Sequence, residues 1–351
     1  MKYRHILTLI LGLCFGLNAL ALPYYIPGKP KPDFNTPTTP QTLSLSSLSD
    51  PSALSDTFNA LLKTHQLSKV EYLDVSNNTL NTHNEAYFIS IIQQNQLPNL
   101  KTLSLSRNHI DNAPALLKTI LAHCPQFQGI LYQNLPLDET DAITALYATH
   151  PRLTTYLGPV TPSNVNTWVN ILKSRAFIRL AFVQVQLSYE NTMALIDTIA
   201  KTQTKLKTFG FVLKHFSTGN DQTHENHLAT GITPILPVNP NITTLIIGTP
   251  SNFAATMPIL QLSRAITQLK LRHLYIVNQV AKGFMRIGGT VMFLANSHLL
   301  SLTQTGNANT ANMLSMAIDH QLMTYNHPVM LTIKNVHGYC FRKVFNNHLT
   351  S

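Results

Sequence analysis

Charge, cysteine and tryptophan are all scarce in this chain of 351 residues. Only 11% of residues are charged and only 15 are acidic, low for an ordinary soluble surface. Thr, Asn, Gln, Ser and His supply much of the polarity instead. The formal charge is +10, yet no Lys/Arg run concentrates it, which argues against a nucleic-acid footprint. A diffuse basic balance fits weak attraction to acidic partners or anionic surfaces. Three cysteines are too few for a disulfide framework. No apolar run beyond the N-terminus approaches the roughly twenty residues a membrane span needs. Phosphate loops, dinucleotide fingerprints, hydrolase elbows and EF-hand loops are likewise missing. What is abundant is apolar residues, at 44%, enough for a large core.

The N-terminus reads as a signal peptide over residues 1–21. Lys2 and Arg4 form a positive region, Ile6–Leu17 an apolar one, and Ala19-Leu20-Ala21 a small-residue cleavage site. Cys14 lies inside the apolar stretch and leaves with it. Residues 22–41 hold Pro23, Pro27, Pro30, Pro32, Pro37 and Pro40 without periodicity, the pattern of an extended linker or arm. The expectation is therefore export, with no stable membrane span after cleavage.

Beyond the arm the chain repeats. Val70–Leu80 and Leu100–Ile110 both fit L-x-x-L-x-L-x-x-N-x-L, starting thirty positions apart. That template encodes one short strand and an asparagine-supported turn, and a single copy cannot bury its own apolar face. Further starts fall near 40, 127, 153, 177, 206, 242, 271, 299 and 328, with helical periodicity between them. Asp50-Pro51 ahead of Leu54–Leu62 illustrates the helix starts, with proline at the first helical position. The period is roughly 28–29 residues.

On these residues the chain resembles the ribonuclease-inhibitor-like leucine-rich repeat family over about residues 40–340. With its signal peptide and Asn/Thr/Gln/His-rich composition, it further resembles exported or effector repeat proteins of host-associated Gram-negative bacteria. The resemblance implies an α/β solenoid, a horseshoe with a concave parallel sheet and convex helices. It also implies protein binding rather than catalysis. The chain departs from the family where Leu135 and Val185 stand in place of the asparagine that Asn78 and Asn108 supply. The expected organisation is a repeat domain at 42–340, with an insert at about 214–241, and a C-terminal cap or tail at 341–351. About seven repeats separate Cys124 from Cys340. At about 4.8 Å per strand that is 30 Å or more, too far for a disulfide.

Strand side chains alternate, so the residues between the leucines point away from the core. Read by repeat, these outward positions have polar ends and an apolar middle. Leu131, Leu157, Val183, Val212, Ile246, Tyr275 and Val277 make up the middle, with Arg179 and His273 as polar neighbours. If exposed, such a strip marks a site for a protein partner. The competing reading is a one-residue register slip, which exchanges core and surface sets, or a strip covered by the arm or insert.

The remaining chemistry is weaker. His215, Asp221, His224, Glu225 and His227 cluster in the insert, but H-E-N-H is not the H-E-x-x-H zinc signature. A solvated insert is the preferred reading, and no cofactor or metal is expected. Cys340 beside His337 has almost no chain after it to house a thiol-based catalytic domain. Trp168, with Val165, Val169 and Leu172 nearby, fits core packing. The leading expectation is a non-enzymatic exported scaffold. The alternatives are a metal-dependent enzyme centred on the insert and a structural envelope protein.

Overall fold

Leucines 43, 73 and 103 sit at matched positions of three successive strands, and their registry organises the first part of the fold. The computed structural model describes residues 41–46, 48, 51–78, 82–108, 110–213, 221–249, 256–278, 292–296, 298–305, 311, 314–318, 328–334 and 340–345. The signal peptide and residues 22–40 of the proline-rich arm lie outside them, as does His215. The chain divides into two compact units, residues 1–159 and 160–351.

In the first unit, strands β1 (Gln41–Ser44), β2 (Val70–Asp74), β3 (Thr102–Ser104), β4 (Gly129–Leu131) and β5 (Thr155–Gly158) pair in parallel and in sequence order. Helices α1 (Pro51–Lys63), α2 (Thr82–Gln93), α3 (Ala113–His123) and α4 (Thr140–Thr149) connect them. One side of the sheet carries the row Leu43, Leu73, Leu103, Ile130 and Tyr156, all buried. Parallel neighbours need a crossover, and each helix supplies one while covering that row. Phe58 and Phe88 pack 5.8 Å apart as a link between α1 and α2. Asn112 caps α3, its side chain accepting from the Ala115 N–H.

The repeat extends to the backbone itself. His65 and Asn95 both have positive φ, as do Asn77 and Arg107, each pair thirty residues apart. His65 and Asn95 end α1 and α2 in the same way. Gln66 N–H reaches Leu61 O while His65 N–H reaches Leu62 O, and Gln96 and Asn95 repeat this on Ile91 and Ile92. This is the two-bond helix ending that a left-handed residue permits.

The second unit contains α5 (Val165–Ser174), β6 (Arg179–Val185), α6 (Tyr189–Thr202), β7 (Thr208–Leu213), α7 (Asp221–Ile232), β8 (Thr244–Thr249), α8 (Met257–Thr267) and β9 (His273–Asn278). Strands β10 (Ser301–Thr305), β11 (Val329–Lys334) and β12 (Cys340–Phe345) follow. Strands β6 to β11 are parallel neighbours in order, and β12 turns back antiparallel to β11. The core rows are Leu180, Phe209, Leu245, Leu274, Leu302 and Leu331, then Phe182, Phe211, Ile247, Ile276, Gln304 and Ile333. Trp168 is fully buried, edge-on to Phe182 at 5.1 Å and 6.1 Å from Phe177, in the packing role expected for it.

Two findings differ from the sequence reading. The segment expected to be a solvated insert carries α7, whose Leu228, Ala229 and Ile232, with Ile235 and Leu236 beyond, are buried like any other repeat helix. The repeat start near 328 gives β11 (Val329–Lys334), and among the described residues β12 follows it, which the repeat template did not foresee. Both units are α/β, with strands taken in order and helices alternating between them, an arrangement compatible with a solenoid repeat.

Candidate functional site

Asparagine spacing and side-chain alternation together decide what the outward face of each sheet can present. In the first unit the asparagine turns form a ladder. Asn78 Nδ2 donates to Leu45 O (2.7 Å) and Val75 O (2.9 Å) while its Oδ1 accepts from Leu48 N–H. Asn108 does the same one repeat later, donating to Val75 O (2.8 Å) and Leu105 O (3.1 Å) and accepting from Asn78 N–H (2.9 Å). Each amide thus satisfies turn groups in two repeats that have no strand partner. At Leu135 the ladder changes hands. Asn134 accepts from Arg107 N–H and donates to Asn108 O, to which the Tyr132 hydroxyl also donates.

A second ladder lies at the opposite end of the strands in the second unit, and the sequence reading missed it. Gln203 Nε2 donates to Leu172 O and Arg175 O, and its Oε1 accepts from Phe177 N–H. Asn239 donates to Gln203 O and Ile235 O and accepts from Leu206 N–H. Asn296 donates to Ile266 O and Leu269 O. The available signal was an amide residue three positions before Leu206, Ile242 and Leu299. Cys124 holds the matching place before Phe127. It is a buried free thiol, pushed up to about 11 by burial against the opposing pull of Arg152.

Outward positions of the first unit run Ser44, Asp74, Ser104, Leu131 and Leu157 in register. Asp74 accepts from Ser76 N–H (3.0 Å) and Ser76 Oγ (2.6 Å), so the carboxylate is bound within the face. Leu131 and Leu157 are register neighbours and both buried, at 8% and 3% exposure.

In the second unit one outward row is Ala181, Gly210, Ile246, Tyr275, Thr303 and Thr332, turning from apolar to hydroxyl-bearing along the sheet. Gly210 has a packing reason, since a Cβ there would sit 2.6 Å from Ala181 Cβ and 3.1 Å from Ile246 Cβ. Ile246 is 1% exposed, and Val183, Val212 and Tyr275 are buried too, whereas Val277 is half-buried. The apolar strip is therefore packed rather than open. Val183 lies in the break after Phe182, where Gln184 has φ +55° and the strand pairing shifts. Burial raises the Tyr275 phenol well above its ordinary range and keeps it neutral.

Arg179 and His273 share the row Arg179, Thr208, Thr244, His273, Ser301 and Met330, with two strands between them. His273 Nδ1 is 2.9 Å from Ser301 Oγ, and burial, with Arg272 nearby, lowers its pKa. In the His-rich segment the His227 ring lies 4.6 Å from Tyr189. Among the described residues no three His, Cys, Asp or Glu side chains are placed to hold a metal ion, and no helix is long and apolar enough to cross a membrane.

Gln304 stands apart. Its side chain lies in the core row between Ile276 and Ile333, fully buried, and neither Nε2 nor Oε1 has a hydrogen-bond partner. A buried amide left in this state costs about 1–3 kcal/mol. Gln304→Leu, similar in volume and apolar, is expected to raise stability by about 1–2 kcal/mol. The midpoint of urea unfolding measures this, and a lower midpoint would show that the amide is satisfied.

Each unit is α/β, with in-order, mostly parallel strands and alternating helices, consistent with a solenoid-like repeat. No family model matches the chain, and no curated protein matches it.

Proposed function

We propose that this is an exported leucine-rich repeat scaffold without catalytic activity, binding a protein partner through the concave, outward face of its strands. The carrying observation is the outward row of the second unit. Its apolar positions, Ala181 and Ile246, are locked by neighbours, while Thr303 on the same row remains half-exposed beside Tyr275. A rigid apolar floor flanked by hydrogen-bonding side chains suits recognition of a folded surface, because little ordering entropy is lost on binding. His273 and Ser301, already joined, add a neutral polar pair on the adjacent row. Leu131 and Leu157 continue the same design in the first unit.

A photo-reactive phenylalanine analogue at Thr303, compared with one at the exposed Arg264 on α8, tests this reading. Irradiation in envelope extract or host lysate should give a discrete adduct from position 303 and none from 264. Adducts from 264 alone, or equally from both, would reject the sheet face as the binding surface.

A further inference from the structure

The acidic residues of this chain thin out toward its C-terminus. From Asn226 to Ser351 lie eight of the 25 Lys and Arg but only one of the 15 Asp and Glu, Asp319. The last described strand of the second unit is β12, C-F-R-K-V-F, a strand-forming run without Pro or Gly. It pairs with β11 on one side, and among the described residues no strand lies on its other side. Such an edge carries backbone N–H and C=O groups able to accept another strand.

We propose that β12 is a docking edge for an extended acidic peptide segment, which adds to the sheet as a further strand. Two side chains select the charge. Arg342 is exposed, and its Nε and Nη2 lie 3.0 and 2.8 Å from the sulfur of Met330, a weak acceptor that leaves the guanidinium free to recruit a carboxylate. Lys343, also exposed, lies 4.3 Å over the Phe345 ring. The same charges disfavour a second copy of this chain. Pairing β12 with itself about a two-fold axis brings cationic strands together, and like charges facing across strands repel. An acidic strand meets the opposite situation. Val344, 53% exposed, and the half-buried Phe341 supply apolar contact on the two sides of the strand. Backbone hydrogen bonds then provide affinity, and alternate side chains provide selection. The proposal stands independently of the sheet face, since it concerns the edge.

The test uses the full chain and a ten-residue peptide of alternating Val and Glu, with binding followed by fluorescence anisotropy and site by hydrogen exchange. The peptide should slow exchange of the Cys340–Phe345 amides. R342E/K343E should bind it at least about tenfold more weakly and gain affinity for the Val-Lys counterpart. A Val-Glu peptide N-methylated at alternate residues should not bind. Retained binding of the N-methylated peptide overturns strand addition, as does slowed exchange elsewhere than β12. Equal or tighter binding of phosphatidylserine vesicles or a single-stranded DNA oligonucleotide shows a general anion surface and overturns the peptide assignment.

Discussion

Ile246→Asp unfolds the second unit or leaves it barely folded. The side chain is 1% exposed on the outward row, flanked by Gly210 on β7 and Tyr275 on β9. The Cβ of Ile246 is already within 3.1 Å of where a Gly210 Cβ would stand, so little room exists for water to follow a carboxylate inward. An unpaired buried charge costs about 3–5 kcal/mol, a large part of the 5–15 kcal/mol that holds a typical domain together. Trp168 is the chain's single tryptophan and belongs to the same unit, so its emission during urea unfolding reports this unit locally. Thr303→Asp, on the same row but half-exposed, provides the contrast and should lower stability by less than about 1 kcal/mol. If Ile246→Asp leaves the tryptophan transition unchanged, the row is open surface and the packed-floor description fails.

That contrast shows where sequence reasoning reached and where it stopped. A period of two decides which side of a strand a residue faces, so Leu73, Leu103 and Leu180 were legible as core. Exposure of the other side depends on what stands beside each residue in the next repeat, and periodicity within one repeat carries no such information. Ile246 is shielded by residues 36 and 29 positions away, and small residues such as Gly210 and Ala181 only make sense once the register is known. Helix α7 escaped notice because D-Q-T-H-E-N-H offers little apolar signal, although Glu225 and Leu228 are buried. Strand β12 was missed for another reason. It runs antiparallel and so carries no trace of the parallel repeat template. The second amide ladder was hidden by position: Gln203, Asn239 and Asn296 precede their strands, whereas the familiar asparagines follow theirs.

Gly129→Ala is expected to be the most damaging single-methyl change in the first unit. Gly129 opens β4 at φ +145°, a backbone conformation costly for any residue with a Cβ. A methyl there would sit 1.8 Å from Thr155 O and 2.6 Å from the Tyr147 hydroxyl. That hydroxyl donates to Thr155 O (2.5 Å) and accepts from Ile130 N–H (3.2 Å), bridging β4 and β5 at the place the methyl would enter. Backbone strain and displacement of this bridge together cost about 3 kcal/mol or more. Cys124, buried in the same unit, is a built-in probe, and mass spectrometry of its peptide reads the opening rate through alkylation. At fixed moderate denaturant, where opening pre-equilibrates, a loss of about 3 kcal/mol accelerates labelling on the order of a hundredfold. Tyr147→Phe alone removes the bridge without strain and should cost about 1–3 kcal/mol. Combining the two substitutions separates the causes. The phenylalanine clears the hydroxyl from the path of the methyl but leaves Thr155 O and the positive φ untouched, so most of the alanine penalty should persist. Full rescue by Tyr147→Phe would show that crowding against the hydroxyl, and not the backbone, is what requires glycine at this position.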